Sequence, residues 1–272
     1  DRHRADHKRK TLLSVPYSVI DGEATSDGVY TLLGACDSDG TYTCVENPDG
    51  LTTTQCFDFL LGLGVREVWG FSVGYDVNQW LVSLSEAHLR RLAETNVCRY
   101  GPYKVRHIPG KIFQVWRREQ RLVRDPDTGE VTLKWFNIQG VAVWDVYSFV
   151  TTSFVRWVEE WGLCDDTEWL AQMKARRSEF TISDAEDVKR YNALELKLLH
   201  AGVQRLKSLV EAAGYRPNTW YSPGSIAAKA LGANNVQAHK SVPILGPRQI
   251  PEDDRPPELR KAIEDAYYGG RF

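Results

Sequence analysis

Two acidic residues spaced one apart, Asp21 and Glu23, follow an apolar run over residues 15–20. Residues i and i+2 of a strand share a face, so both carboxylates would point the same way from the end of a buried strand. Two such charges at close range repel, and one pKa would rise. A divalent cation relieves that repulsion, because carboxylate oxygens are its natural ligands. The competing reading is a surface turn, since Asp-Gly is a common turn dipeptide. Asp187, Tyr191 and Glu195 recur every four residues, which on a helix puts them on one face. A Tyr one turn before a carboxylate can hold a water while the carboxylate holds a metal. The alternative is a solvated helix face with a chance Tyr. Asp76 and Asp145 each stand where an apolar stretch gives way to helical periodicity. Helix capping accounts for either of them without chemistry, and is the favoured reading of Asp145.

The elements that must position these residues follow from periodicity. Residues 14–45 read as three strands, the last two joined by the turn signal Asp37-Ser38-Asp39-Gly40. Residues 52–63 have helical spacing, with Thr53 or Thr54 as cap, and residues 65–71 read as a short buried strand leading to Asp76. Residues 85–94 form another helix capped by Ser85. Residues 103–124 are β-like and broken at Pro109-Gly110. Strands over 131–136 and 141–145 follow, then helical periodicity over 146–161. Ser183 with Glu186 marks a capping box, and the helix it starts is expected to stop at Gly214. Its buried stripe is read as Leu194, Leu198, Leu199, Leu206, Leu209 and Val210. Short helices over 225–231 and 258–266 flank a loose stretch rich in Pro, Asn and Asp.

With 42% hydrophobic and 26% charged residues, the 272-residue chain has the composition of a soluble globular protein. No apolar run approaches a membrane span, so no membrane partner is expected. The charged start of the chain is unlike a signal peptide. Met173 is the only methionine, and the chain reads as a piece of a longer one. The five cysteines are odd in number and show no C-x-x-C, which suits reduced thiols in a cytoplasmic or nucleoid-associated setting. The net charge of -2 hides an asymmetry. Residues 99–124 carry Arg99, Lys104, Arg106, Lys111, Arg117, Arg118, Arg121 and Arg124 against Glu119 alone, with Tyr100, Tyr103, Phe113 and Trp116 between them. Lys174, Arg176 and Arg177 form a second basic cluster. Basic groups interleaved with aromatics suit a nucleic-acid backbone and its unstacked bases, or else a solvated hairpin face.

The order of these signals carries more than any one of them. An acidic pair at a first strand, an aromatic-Asp at a later strand–helix junction and a Tyr-x-x-x-acid in a late helix resemble the 3′–5′ exonuclease domain of family B DNA polymerases, within the DEDD superfamily. The matching segments are Asp21-Gly22-Glu23, the stretch 71–76 ending in Tyr75-Asp76, and Tyr191-Asn192-Ala193-Leu194-Glu195. The protein-primed phage and plasmid members are the more specific likeness. They are matched by the Asp-x-x-x-Phe segment Asp145 to Phe149, by Pro223-Gly224-Ser225-Ile226-Ala227, and by Tyr267-Tyr268-Gly269-Gly270-Arg271, similar to a Y-x-G-G motif joining exonuclease and polymerase domains. The resemblance covers residues 15–272. It departs from the family at Glu195, where the third motif usually ends in Asp, and at Phe71 and Ser72, where the second motif usually carries an Asn.

The resemblance implies an α/β, ribonuclease-H-like mixed sheet of about five strands with helices on both faces, plus a β-rich insertion over 102–138. It divides the chain into a basic tail (1–13), an exonuclease domain (14–216) and a connection (217–272) towards a polymerase domain of the same parent chain. It implies Asp21, Glu23, Asp76 and Glu195 as ligands of two Mg²⁺ or Mn²⁺ ions, with Asp187 a substitute for Glu195 only in a shifted register. Tyr191 would orient the attacking water. Phe71, Ser72, Lys174, Tyr268, Gly269 and Gly270 would contact nucleic acid, with Lys174 neutralising a phosphate. The implied reaction is hydrolysis of single-stranded DNA from its 3′ end to nucleoside 5′-monophosphates. A stand-alone DEDD exonuclease acting on DNA or RNA, and a catalytically impaired nucleic-acid-binding domain, share the same residues.

Overall fold

Apolar side chains on successive strand positions go to opposite places. Along β1 (Tyr17–Ala24), Ile20 packs on one face while Tyr17 and Val19 pack on the other. Along β2 (Tyr30–Asp37), Leu33 and Ala35 oppose Leu32 and Cys36 in the same way, and along β4 (Glu67–Gly70) Val68 opposes Trp69. Strands apolar on both faces must be covered on both. The computed structural model describes residues 11–165, 167–176, 179–217 and 219–233.

The chain also contains β3 (Tyr42–Glu46), β5 (Val97–Tyr100), β6 (Tyr103–Ile108), β7 (Ile112–Arg124) and β8 (Val131–Asp145). All eight strands join one sheet in the order β3-β2-β1-β4-β8-β7-β6-β5. β1 runs parallel to β4 and β4 to β8, while the other neighbours are antiparallel. The first five strands in that order are the expected mixed sheet. Segment 102–138 supplies β6, β7 and most of β8's length, which with β5 extend the same sheet. Helices α1 (Thr53–Gly62), α2 (Gly74–Trp80) and α3 (Glu86–Thr95) cover one face through Phe57, Leu60, Trp80 and Leu92. The other face receives α4 (Tyr147–Val150), α5 (Phe154–Glu160), α6 (Thr167–Arg176) and the long α7 (Ala185–Ala212), through Phe149, Trp157, Leu170 and Leu199. The fold is thus α/β with helices on both faces of a mixed sheet, consistent with a ribonuclease-H-like core carrying extra strands. α8 (Pro223–Ala233) ends the described chain. Residues 230–272 form a second unit, described only to residue 233.

Several local expectations are corrected. The expected strands 131–136 and 141–145 are one strand, because β8 stays paired throughout. Its pairing steps from Gln139 to Asn137 between Arg117 and Arg118, a bulge that passes over Ile138. The helical stretch 146–161 is two helices, broken at Thr151, whose φ is +49°. Thr52, not Thr53 or Thr54, caps α1, since Gln55 can complete a reciprocal box with it. Thr181 with Asp184, rather than Ser183 with Glu186, makes the box ahead of α7. The buried face of α7 is also rotated from the expected stripe. Leu209 is exposed and Leu194 half-buried, while Val188, Tyr191, Asn192, Glu195 and Lys207 are buried. Polar residues on a buried helix face are invisible to a hydrophobic count. The expected helix over 258–266 and the tail over 1–10 lie outside the described residues. No described helix is long and apolar enough to cross a membrane, and none of the five cysteines is in a disulfide.

Candidate metal centre

Asp21 and Glu23 lie within β1, not past its end, because β2 continues to pair with both as Gly34 and Leu32. The turn reading of Asp-Gly is thereby excluded. Gly22 is there for a different reason: the ring of Tyr30 crosses it so closely that a Cβ would collide with the phenol. Both carboxylates point to the α7 face of the sheet, as the alternation with Ile20 requires.

α7 brings the third acid. Glu195 is only 3% exposed, so its helix face is not a solvated one. Asn192, one turn earlier, fixes the helix against the strands. Its amide donates to the Asp21 carbonyl at 3.2 Å, and its carbonyl accepts from the Tyr42 hydroxyl at 3.2 Å. Gly34 permits this approach, since a Cβ there would overlap the Asn192 side chain. One ligand oxygen each from Asp21, Glu23 and Glu195 then lies within 4.8 Å of the other two.

The electrostatics follow from this crowding. Burial, followed by the charges of Glu195, Glu23 and Asp76, pushes the Asp21 carboxyl well above its ordinary value, with Lys174 opposing. Asp21 Oδ2 and Glu195 Oε2 are buried and accept no hydrogen bond among the described residues. An all-oxygen set with buried, unused lone pairs fits a hard divalent cation such as Mg²⁺ or Mn²⁺. Lys174, near the end of α6, is the nearby counter-charge. Its ammonium reaches Glu195 Oε1 at 2.6 Å and sits 4.7 Å from the centre of the Phe154 ring.

The remaining candidates are spread around this core. Asp76 is in the first turn of α2 rather than at its cap, and lines the same cleft of about 890 Å³ as Asp21, Glu23, Lys174 and Glu195. It stands outside the three-oxygen group, with Oδ1 accepting from the Tyr30 hydroxyl at 2.9 Å. Tyr30 in turn accepts from the Trp80 indole at 3.1 Å. Sequence reasoning passed over Tyr30, since nothing in its surroundings marks it and only the fold carries it over Gly22. Tyr191 is buried, and burial with the charge of Glu195 raises its pKa far above the ordinary phenol range. It remains a protonated donor beside the acids, but it lines a neighbouring cavity with Asp187 rather than the cleft. Asp187 is exposed and apart from the acidic group.

Phe71 and Ser72 also line the cleft. Phe71 stacks on Trp157 at 5.7 Å and meets Phe154 and Tyr147 edge-on. Ser72 has φ +55°, a costly conformation for a non-glycine residue. Asp145 holds it there. Its carboxylate accepts from the backbone of Ser72 at 2.8 Å, Val73 at 3.2 Å and Tyr147 at 2.9 Å. The favoured capping reading of Asp145 is corrected, since Val146 is the N-cap of α4, but the Asp145 carboxylate accepts from the first helical amide at Tyr147 and also ties down the cleft loop. Tyr268, Gly269, Gly270 and Arg177 lie outside the described residues.

Two solved structures are similar in chain path. Phi29 DNA polymerase complexed with single-stranded DNA matches at TM-score 0.42 and 8% identity over 82% of this chain and 35% of that one. Phi29 DNA polymerase complexed with primer-template DNA and incoming nucleotide substrates matches at TM-score 0.42 and 6% identity over 82% and 34%. The chain thus spans about a third of the length of that polymerase, and at this identity the likeness assigns no residue a role. No protein-family model matches the chain, and no curated protein does.

Proposed function

We propose that the chain is a metal-dependent 3′–5′ exonuclease domain of a family B DNA polymerase, hydrolysing single-stranded DNA 3′ ends to nucleoside 5′-monophosphates. The observation that carries this reading is the meeting of Asp21, Glu23 and Glu195 from two distant segments at one open cleft. Three carboxylates crowded at one site, two of them buried, are costly to keep ionised together, and a site that tolerates that cost has a use for it.

On this reading Asp21, Glu23 and Glu195 would hold Mg²⁺ or Mn²⁺, with Asp76 lining the same cleft. A bound divalent ion lowers the pKa of a coordinated water and offsets phosphate charge. The residues of the chain do the rest. Tyr191, kept protonated by its burial beside Glu195, would orient the attacking water once its hydroxyl turns from the neighbouring cavity to the cleft. Lys174 moves from Glu195 to a phosphate oxygen of the substrate. Phe71, braced by Trp157, offers a ring to a terminal base, and Ser72 presents polar groups to the strand. Residues 217–272 would lead to the polymerase domain of the parent chain.

The test uses 5′-labelled single-stranded DNA with Mg²⁺, Mn²⁺ or EDTA. A ladder shortening from the 3′ end, absent in EDTA and absent for Asp21→Ala/Glu23→Ala while strand binding persists, is the expected result. Unchanged cleavage by the double variant would remove these acids from the mechanism. Binding without cleavage in either metal would make the chain a binding domain of the same fold.

A further inference from the structure

The open end of the sheet carries a surface that the cleft does not use. On the α7 side of β5–β8 the apolar cover ends at Ile108 and Ile112. Beyond them the register aligns Arg106 with Gln114, Lys104 with Trp116, and Arg99 with Lys104 on one face. The same side of β7 continues through Arg118, Gln120, Leu122 and Arg124, paired with Asn137, Trp135, Leu133 and Val131. None of the residues on this side of the four strands is acidic. Trp135 is 45% exposed and Leu122 73%. The Arg118 guanidinium lies 4.4 Å from the Trp135 ring centre, and Lys104 lies 5.2 Å from Trp116. Arg99 is close enough to Arg118 to lower its pKa, second to burial.

Glu86 and Glu94 of α3 share a surface cavity with Arg99 at the sheet edge, but the strands themselves supply no carboxylate, and like charges gathered in this way repel unless an anion joins them. The exposed indole of Trp135 and the half-buried one of Trp116 add faces on which bases stack. The partner that offers regularly spaced anions and free aromatic faces together is a single strand of nucleic acid. Duplex DNA offers the anions but keeps its bases stacked. We propose that this β5–β8 face, centred on Arg99, Lys104, Trp116, Arg118 and Trp135, is a second binding surface for single-stranded nucleic acid, separate from the acidic cleft. Gly140, opposite Trp116, precedes the strand end at Asp145 by five residues, or about 17 Å of strand. The surface therefore engages a strand upstream of the end that occupies the cleft. It deepens the nucleic-acid reading but does not depend on turnover.

The experiment measures binding of fluorescent oligothymidylate of roughly thirty nucleotides to the whole chain in EDTA, where metal-dependent cleavage cannot interfere. Arg99→Ala/Arg118→Ala is expected to weaken binding about tenfold and to flatten the salt dependence by about 1.4 in log–log slope. Trp135→Ala is expected to weaken it about fivefold or more. All these positions except the half-buried Arg118 are exposed, and unchanged circular dichroism confirms folding of each variant. Cleavage of a dinucleotide in Mn²⁺, too short to span both surfaces, is expected to be unchanged. Parental affinity in both variants overturns the proposal, as does a preference of the parent for duplex over single strand. If no variant or parent cleaves DNA but binding still needs Arg118 and Trp135, the exonuclease reading fails and this one stands.

Discussion

Asp21 shows how a single residue is shaped by those around it. Its carboxyl is buried and faces Glu195, Glu23 and Asp76, so its folded pKa is raised above the ordinary 3.8. The unfolded chain therefore loses this proton first as pH rises, and the metal-free fold is penalised above the unfolded pKa. Stability is free of that penalty below about pH 4 and declines as pH rises from there towards the folded value. Asp21→Asn removes the charge and keeps the shape. In EDTA at neutral pH the variant should resist urea better than the parent, with the difference vanishing near pH 4. Equal urea midpoints at both pH values would mean that Asp21 is not crowded in solution.

Asp145 belongs to the scale of elements. One carboxylate at the end of β8 accepts from three backbone amides, and so joins β8, the loop after β4 and the start of α4. Asp145→Ala removes the carboxylate that accepts from Ser72, whose φ is +55°. The expected loss is about 2 kcal/mol of stability, the cost of losing a cap and leaving amides unpaired. Phe71 and Ser72 would shift with the loop, so strand affinity at the cleft should fall as well. Denaturant melts and binding in EDTA measure the two effects, and a variant as stable as the parent would show that the loop holds itself.

For the whole molecule the acids act as a joint between β1 and α7. A cation bound there ties the two together and stabilises the native state by mass action, about 2.7 kcal/mol at a hundredfold excess over Kd. For a chain of this size that corresponds to a rise in Tm of about 5–10 °C. Calorimetry with Mn²⁺ against EDTA should show it, and Glu195→Gln should lose most of the gain. A parent whose Tm ignores Mg²⁺ and Mn²⁺ alike would dismiss the metal centre.

The sequence by itself determined the local pieces of this protein. Strand alternation placed Asp21 and Glu23 on one face, helical spacing placed Tyr191 one turn from Glu195, and turn and breaker residues located most elements. These are short-range properties, fixed by backbone geometry within a few residues. The resemblance to a polymerase exonuclease added the order of the acids. Tertiary structure alone decided which carboxylates meet. It set Asp21, Glu23 and Glu195 together, held Asp76 beside them through Tyr30, and turned Asp187 outward. Neither the crossing of Tyr30 over Gly22 nor the fit of Asn192 against Gly34 leaves a periodic trace in the chain. Such contacts join residues far apart in sequence, and only packing fixes which small residue faces which large one.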